Sequence, residues 1–320
     1  MTSPLTVAEF VSRANSLHQA KQYAEALAYV TREGGRFPEL SLRILPFQAT
    51  MAAMTGQVEL AVACLQTAID RGQWYGERFP RNPELASLQG HATFERIVAI
   101  CGERREAARA AARPQLYTEQ PDPLPHPAPL LMVMHGNGGD GPGTLAQWRA
   151  AAQMGWLVAV AQSSQVEGAG QYVWNDAARN LAEMTQHFAD LQVSHAVDPE
   201  RVVLGGFSMG AGEVVHLAIY GQIPARGFIA VAPFVRDLDG LKEQMARVAP
   251  GSVRGYIITG DADFTYQSAR DTVEACRAAG IPCALEEHPG LGHAPPAAFD
   301  QSLGRALRFI LDEGPAAGGS

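Results

Sequence analysis

From residue 130 onward the sequence alternates, six times over, between a short unbroken apolar run and a segment of helical period. The runs are 130–134, 156–161, 202–204, 227–232, 255–259 and 283–288; the helical segments are 143–153, 175–191, 210–220, 238–249, 269–279 and 297–313. Strands that face water on one side alternate apolar and polar residues, so unbroken apolar strands imply a sheet covered on both faces. Strand–helix alternation makes that sheet parallel and the class α/β. At 320 residues there is length for this domain and a second one.

The second one lies in front. Residues 1–112 read as successive helices, opened by Thr6-Val7-Ala8-Glu9 at capping-box spacing and followed by Phe10, Val11, Ala14 and Leu17 at helical intervals. Further helices are expected over 23–32, 58–70 and 93–112. Laying 22–30 over 57–65 pairs Gln22 with Gln57, Ala26 with Ala61 and Ala28 with Ala63. Small residues there let two helices approach closely, and this all-α, helical-repeat-like period resembles tetratricopeptide repeats. Pro46 is expected to interrupt the first helix of the second copy. An irregular helical bundle is the alternative. The segment "NPELASLQGHATFERIVA" (82–99) resembles the closing segment of such arrays. Between the two parts, 113–129 carries six prolines in seventeen residues, which cannot continue a helix; it is read as a linker with an edge strand at 115–119. The catalytic part is therefore assigned to 130–320, and its end, Gly318-Gly319-Ser320, is expected to fray.

Charge narrows the partners. Of the net −8, residues 1–113 carry 13 Lys and Arg against 11 Asp and Glu, whereas the rest carries 12 against 22. A strongly acidic half without a basic stripe argues against nucleic acid or an anionic membrane as its partner. No apolar run is long enough to span a bilayer. The start, MTSPLTVAEF, lacks a basic region followed by an apolar one, so a cytoplasmic location is expected. Cys64, Cys101, Cys276 and Cys283 show no Cys-x-x-Cys spacing and are expected to be reduced, with no metal site.

The chemistry centres on "GGFSMGAGE" (205–213), directly after the run Val202-Val203-Leu204. Gly206-Phe207-Ser208-Met209-Gly210 between a strand and a helix is the spacing of a nucleophile elbow: a turn too tight for flanking side chains, with the serine hydroxyl held out over the sheet. A serine hydroxyl needs a base. Of nine histidines, His293 in "HPGLGHAPP" follows the last strand at its carboxyl end, on a glycine-rich loop able to return over Ser208; His288 is its rival but belongs to the strand. A carboxylate must orient that imidazole. Asp261 and Asp263 both end the run 255–259, and Asp237 and Asp239 are weaker alternatives. For the charge on an attacked carbonyl oxygen, two inward main-chain amides are needed. Met209, after the serine, supplies one, and Asn137 in "MHGNGGDG" (134–141) the other. No phosphate- or dinucleotide-binding pattern accompanies these glycines. Trp174, Phe234, Phe264 and Leu291 fall on loops around Ser208 and are read either as walls of a substrate pocket or as core.

Together "LLMVMHGNGGD", "YVWND", "DPERVVLGGFSMGAG", "TGDADF" and "PGLGH" make residues 130–313 resemble α/β-hydrolases of the phospholipase/carboxylesterase, dienelactone-hydrolase-like branch. The resemblance implies an α/β-hydrolase fold and a serine esterase without metal or cofactor. It selects Asp263 over Asp261, because the acid of that branch lies three residues after the glycine ending its strand. It departs at Met209, where glutamine is common, in the reduced opening strands, and in the helical front domain. The expected partner is a small-molecule ester, with the front helices available for a protein partner or a second copy. Thioester, lysophospholipid and peptide cleavage use the same site, and a repeat-type binding protein with an inactive hydrolase scaffold is the alternative of another class.

Overall fold

The computed structural model describes residues 5–313, so the 318–320 end lies outside the described residues. Two compact units are present: one runs up to Ala111 and includes Glu167–Ala169, and the other contains the remainder from Ala112.

The first unit is helical, with α1 (Val7–Gln19), α2 (Tyr23–Glu33), α3 (Ser41–Met54), α4 (Val58–Asp70) and α5 (Ala92–Ala111). Thr6 and Glu9 close the capping box at α1, satisfying amides that a helix start leaves free. The helices α2 and α4 begin 35 residues apart, after Gln22 and Gln57 of nearly equal backbone angles (φ −86°, ψ 56° and φ −87°, ψ 63°). Ala26 and Ala61 are both fully buried. One expectation fails: α3 runs straight through Pro46. An interior proline removes a rung and costs roughly 3 kcal/mol. Burial of Ala49, Met51, Ala52 and Ala53 one turn on offsets that cost. Neighbouring helices, unseen by local propensity, decide the outcome.

The second unit holds a seven-stranded sheet, with β1 (Gln115–Glu119), β2 (Ala128–Met134), β3 (Leu157–Gln162), β6 (Val197–Phe207), β7 (Gly227–Val231), β8 (Arg254–Gly260) and β9 (Cys283–His288) in the order β1-β3-β2-β6-β7-β8-β9. Only β1 is antiparallel; the other pairings are parallel. A separate hairpin, β4 (Val166–Gly168) with β5 (Gln171–Tyr172), was not signalled by any apolar run. Strand β6 also starts earlier than its apolar run, extending back through Pro199.

Alternate residues of each strand feed two cores. Leu130, Met132 and Met134 face α8 (Ala177–Ser194), α9 (Met209–Ile219), α10 (Leu238–Met245) and α11 (Tyr266–Ala278). Leu131 and Val133 face α6 (Gly141–Trp148), α7 (Ala150–Gln153) and α12 (Phe299–Ile310). This two-sided burial is why the strands are apolar throughout.

At the β9 edge, Glu286 takes hydrogen bonds from Tyr256 Oη (2.7 Å), Arg305 Nη2 (2.7 Å) and Ser302 Oγ, and lies 2.8 Å from His288 Nε2. Burial alone raises its pKa, but the bonds from Arg305, Ser302, Tyr256 and His288 outweigh it and hold the carboxyl at about 2. A depressed carboxyl pKa stabilises the fold above its ordinary value and ceases to do so as pH falls. Stability is therefore expected to drop between pH 4.5 and 2, by up to about 3 kcal/mol at 1.36 kcal/mol per unit. In Glu286→Gln, urea unfolding across that window should be flatter and the variant less stable at pH 7; an unchanged pH slope would refute the assignment.

Candidate active site

Strand β2 leads to β3 on one side, and β6 leads to β7 on the other. Connections that diverge from adjacent strands open a crevice at their carboxyl ends, where ligands bind in open α/β sheets. The strands end level there: Met134 pairs with Gly206, Phe207 with Val231, Val231 with Ile258, and Gly260 with His288. Each of the loops discussed for the site leaves from this one edge.

Ser208 sits between β6 and α9 at φ 54°, ψ −115°, a left-handed conformation that side chains rarely adopt. Three main-chain bonds hold it there: its N–H donates to the Val231 carbonyl (2.8 Å), and its carbonyl accepts from Phe234 N–H and from Gly212 N–H (3.1 Å each). The flanking glycines are required by contact. A Cβ at Gly206 would lie 2.5 Å from the Gly210 carbonyl oxygen, and one at Gly210 would lie 2.4 Å from that of His135. Any larger residue would push the helix off the strand.

His293 Nε2 lies 2.8 Å from Ser208 Oγ, and His293 Nδ1 lies 2.9 Å from each oxygen of Asp263. A carboxylate only accepts, so Nδ1 carries the proton and Nε2 is left to accept from the serine hydroxyl. The Asp263 side chain is fully buried. Its Oδ1 also takes bonds from Thr265 N–H (2.8 Å) and Thr265 Oγ1 (3.0 Å), a support that the sequence did not signal. The other candidates have separate work. Asp261 Oδ1 accepts from Gly290 N–H (2.6 Å) at the base of the histidine loop, and Ala262 N–H donates to the Leu291 carbonyl. His288 is engaged with Glu286, Asp237 caps α10, and Asp239 pairs with Lys242.

The loop after β2 brings Asn137 to the surface of the crevice. The Gly136 carbonyl accepts from His135 Nδ1–H (2.8 Å) and from Gly139 N–H (3.0 Å). In a trans peptide the next N–H points opposite to that carbonyl, so Asn137 N–H is turned away from the loop, and it has no main-chain acceptor among the described residues. Tyr172 braces the same loop through bonds with Gly138 and Gly139. Met209 opens α9, so its N–H precedes the helical ladder and is free as well. The positive end of α9 therefore faces the serine.

Nothing in the sequence marks the His135 side chain beyond its place in a glycine-rich loop. It is fully buried, and burial holds its pKa at about 4 despite the bond to Gly136. It is neutral at pH 7, with Nε2 accepting from Ser163 N–H (3.3 Å). A depressed histidine pKa means that the unfolded chain takes up protons first as pH falls. Stability should thus decline from pH 6.5 towards 4 in the parent and decline less in His135→Gln, measured by urea unfolding. Equal declines would refute the burial argument.

Of the four residues read as pocket wall or core, Phe264 and Phe234 are exposed (77% and 45%). The Phe264 ring lies 4.4 Å from that of His293, and Phe207 lies 5.0 Å from the same imidazole. Leu291 is half-buried. Trp174 is fully buried, so the pocket-wall reading fails for it: its indole N–H donates to the His135 carbonyl, which turns it inward. Among the described residues no group of three His, Cys, Asp or Glu side chains is placed to hold a metal ion, and no helix is long and apolar enough to cross a membrane.

Residues 6–109 match the family described as A/B hydrolase-like, N-terminal domain. Among curated proteins none matches the chain in sequence. Among solved structures, an uncharacterized protein from Bacillus cereus ATCC 10987 is similar over 97% of this chain and 100% of its own, at 25% identity and a TM-score of 0.56. Est1E from Butyrivibrio proteoclasticus, solved with ferulic acid bound, is similar over 63% of this chain and 96% of its own, at 14% identity and a TM-score of 0.50; that likeness is one of fold. Residues 6–109 are thus similar to an A/B hydrolase-like N-terminal domain, and the chain has the α/β-hydrolase fold, a mostly parallel sheet with helices on both faces.

Proposed function

We propose that this protein is a serine hydrolase that cleaves carboxylic esters through an acyl-enzyme. The observation that carries the reading is the hydrogen-bonded row from Ser208 through His293 to Asp263. Ser208 Oγ attacks the acyl carbon as its proton passes to His293 Nε2, and Asp263 stabilises the imidazolium formed. Negative charge on the former carbonyl oxygen is met by the N–H groups of Asn137 and Met209, each worth about 3 kcal/mol in related chemistry. The C–O bond to the alcohol breaks as Nε2 returns the proton to the leaving oxygen. Water, deprotonated by the same nitrogen, then attacks the acyl-enzyme and releases the acid and Ser208. Phe234 and Phe264, exposed beside this row, supply apolar contact to the ester.

A fluorophosphonate probe tests the reading directly. Stoichiometric labelling mapped to the Ser208 peptide is the expected result. A folded sample that takes no label would favour a binding protein built on an inactive scaffold.

A further inference from the structure

Trp174 touches both segments that carry the two free amides. Its indole Nε1–H donates to the His135 carbonyl at 3.0 Å, two residues before Asn137, and its ring centroid lies 4.8 Å from that of His135. Its own N–H donates to Met209 Sδ at 3.2 Å, on the residue after Ser208. The chain at Trp174 is itself braced. Asn180 Nδ2 donates to its carbonyl (3.3 Å) and to Glu213 (2.8 Å), while Gln165 Oε1 accepts from Asn175 N–H and Asp176 N–H. Gln165 Nε2 in turn donates to Asn180 Oδ1 (2.7 Å).

We infer that Trp174 is a positioning residue that sets the spacing of the Asn137 and Met209 amides without touching substrate. The inference rests on the serine-hydrolase reading above. Preorganised donors accelerate acyl transfer because they need no rearrangement as charge develops, and a displacement of about 1 Å can cost on the order of 100-fold. Removing the indole N–H leaves the His135 carbonyl without that donor beside a buried ring, and the loop carrying Asn137 loses its tie to the Met209 side.

The test compares the full-length parent with Trp174→Phe and with a variant carrying 3-benzothienylalanine at 174, which keeps the indole shape but has sulfur in place of N–H. With p-nitrophenyl acetate, kcat should fall about 10- to 100-fold in both, with KM within about two-fold, since the lost contribution belongs to the transition state. The pH dependence of kcat/KM should not move, because the His293–Asp263 pair is untouched. Fluorophosphonate labelling should slow in step, as its phosphoryl oxygen uses the same amides. If Trp174→Phe fails to fold, the isosteric variant carries the test alone. Parental kcat in a folded isosteric variant, or a loss confined to KM, overturns the inference. Ser208→Ala separates the two levels: parental hydrolysis there overturns the serine reading itself, whereas an inactive Ser208→Ala beside a fully active isosteric variant overturns only the role of Trp174.

Discussion

Ser208→Ala should lower kcat/KM for a small p-nitrophenyl ester by about 10⁴- to 10⁶-fold and leave the protein folded. The substitution removes the attacking oxygen, while Asn137 and Met209 retain their main-chain amides. What survives is the modest catalysis that bound donors give to water. Stability should change little, since the elbow is held by main-chain bonds to Val231 and Phe234 and by the two flanking glycines, none of which involves the hydroxyl. An unfolding temperature within about 2 °C of the parent is expected, as for substitutions that leave packing intact. Hydrolysis at the parental rate would show that the nucleophile is elsewhere.

The second large effect falls on Asp263. In Asp263→Asn the amide oxygen is expected to take the Oδ1 place, because Thr265 N–H and Oγ1 both donate there. The amide nitrogen then faces His293 Nδ1 and donates to it. The imidazole proton moves to Nε2, where it can no longer accept from Ser208. Loss of the correct tautomer costs about 10⁴-fold in kcat in serine triads. Asp261→Asn serves as the internal contrast. Asp261 is exposed and its side chain ties only Gly290, so a change within about three-fold is expected. A large loss at 261 with a small one at 263 would reverse the two roles.

The contrast between these neighbours marks how far local sequence reaches. Either aspartate follows the end of β8, and the residues around them leave both open; the resemblance favours Asp263, and in the structure that side chain is buried against His293 while Asp261 takes the Gly290 N–H. The same limit explains Trp174. Its position in the chain puts it among the loops of the crevice, but the direction of its side chain follows from an acceptor 39 residues away. Pro46 errs the other way: a strong local signal is overruled by buried neighbours. The β4–β5 hairpin has too few residues to carry a period.

The sequence by itself determined the α/β class, the strand–helix alternation and the strained serine turn. Each is encoded within a few residues: unbroken apolar runs for strands buried on both faces, a 3.6-residue period for the helices, and glycines where a Cβ has no room. The tertiary structure brings His293, with Asp263 behind it, onto Ser208 in one hydrogen-bonded row, and it alone decided that Trp174 faces inward between the two amide-bearing segments. Those meetings span 85 residues from Ser208 to His293 and 30 from Asp263 to His293. No local rule acts over such separations. The sheet sets them, by ending its strands at one level so that loops distant in sequence share a single edge.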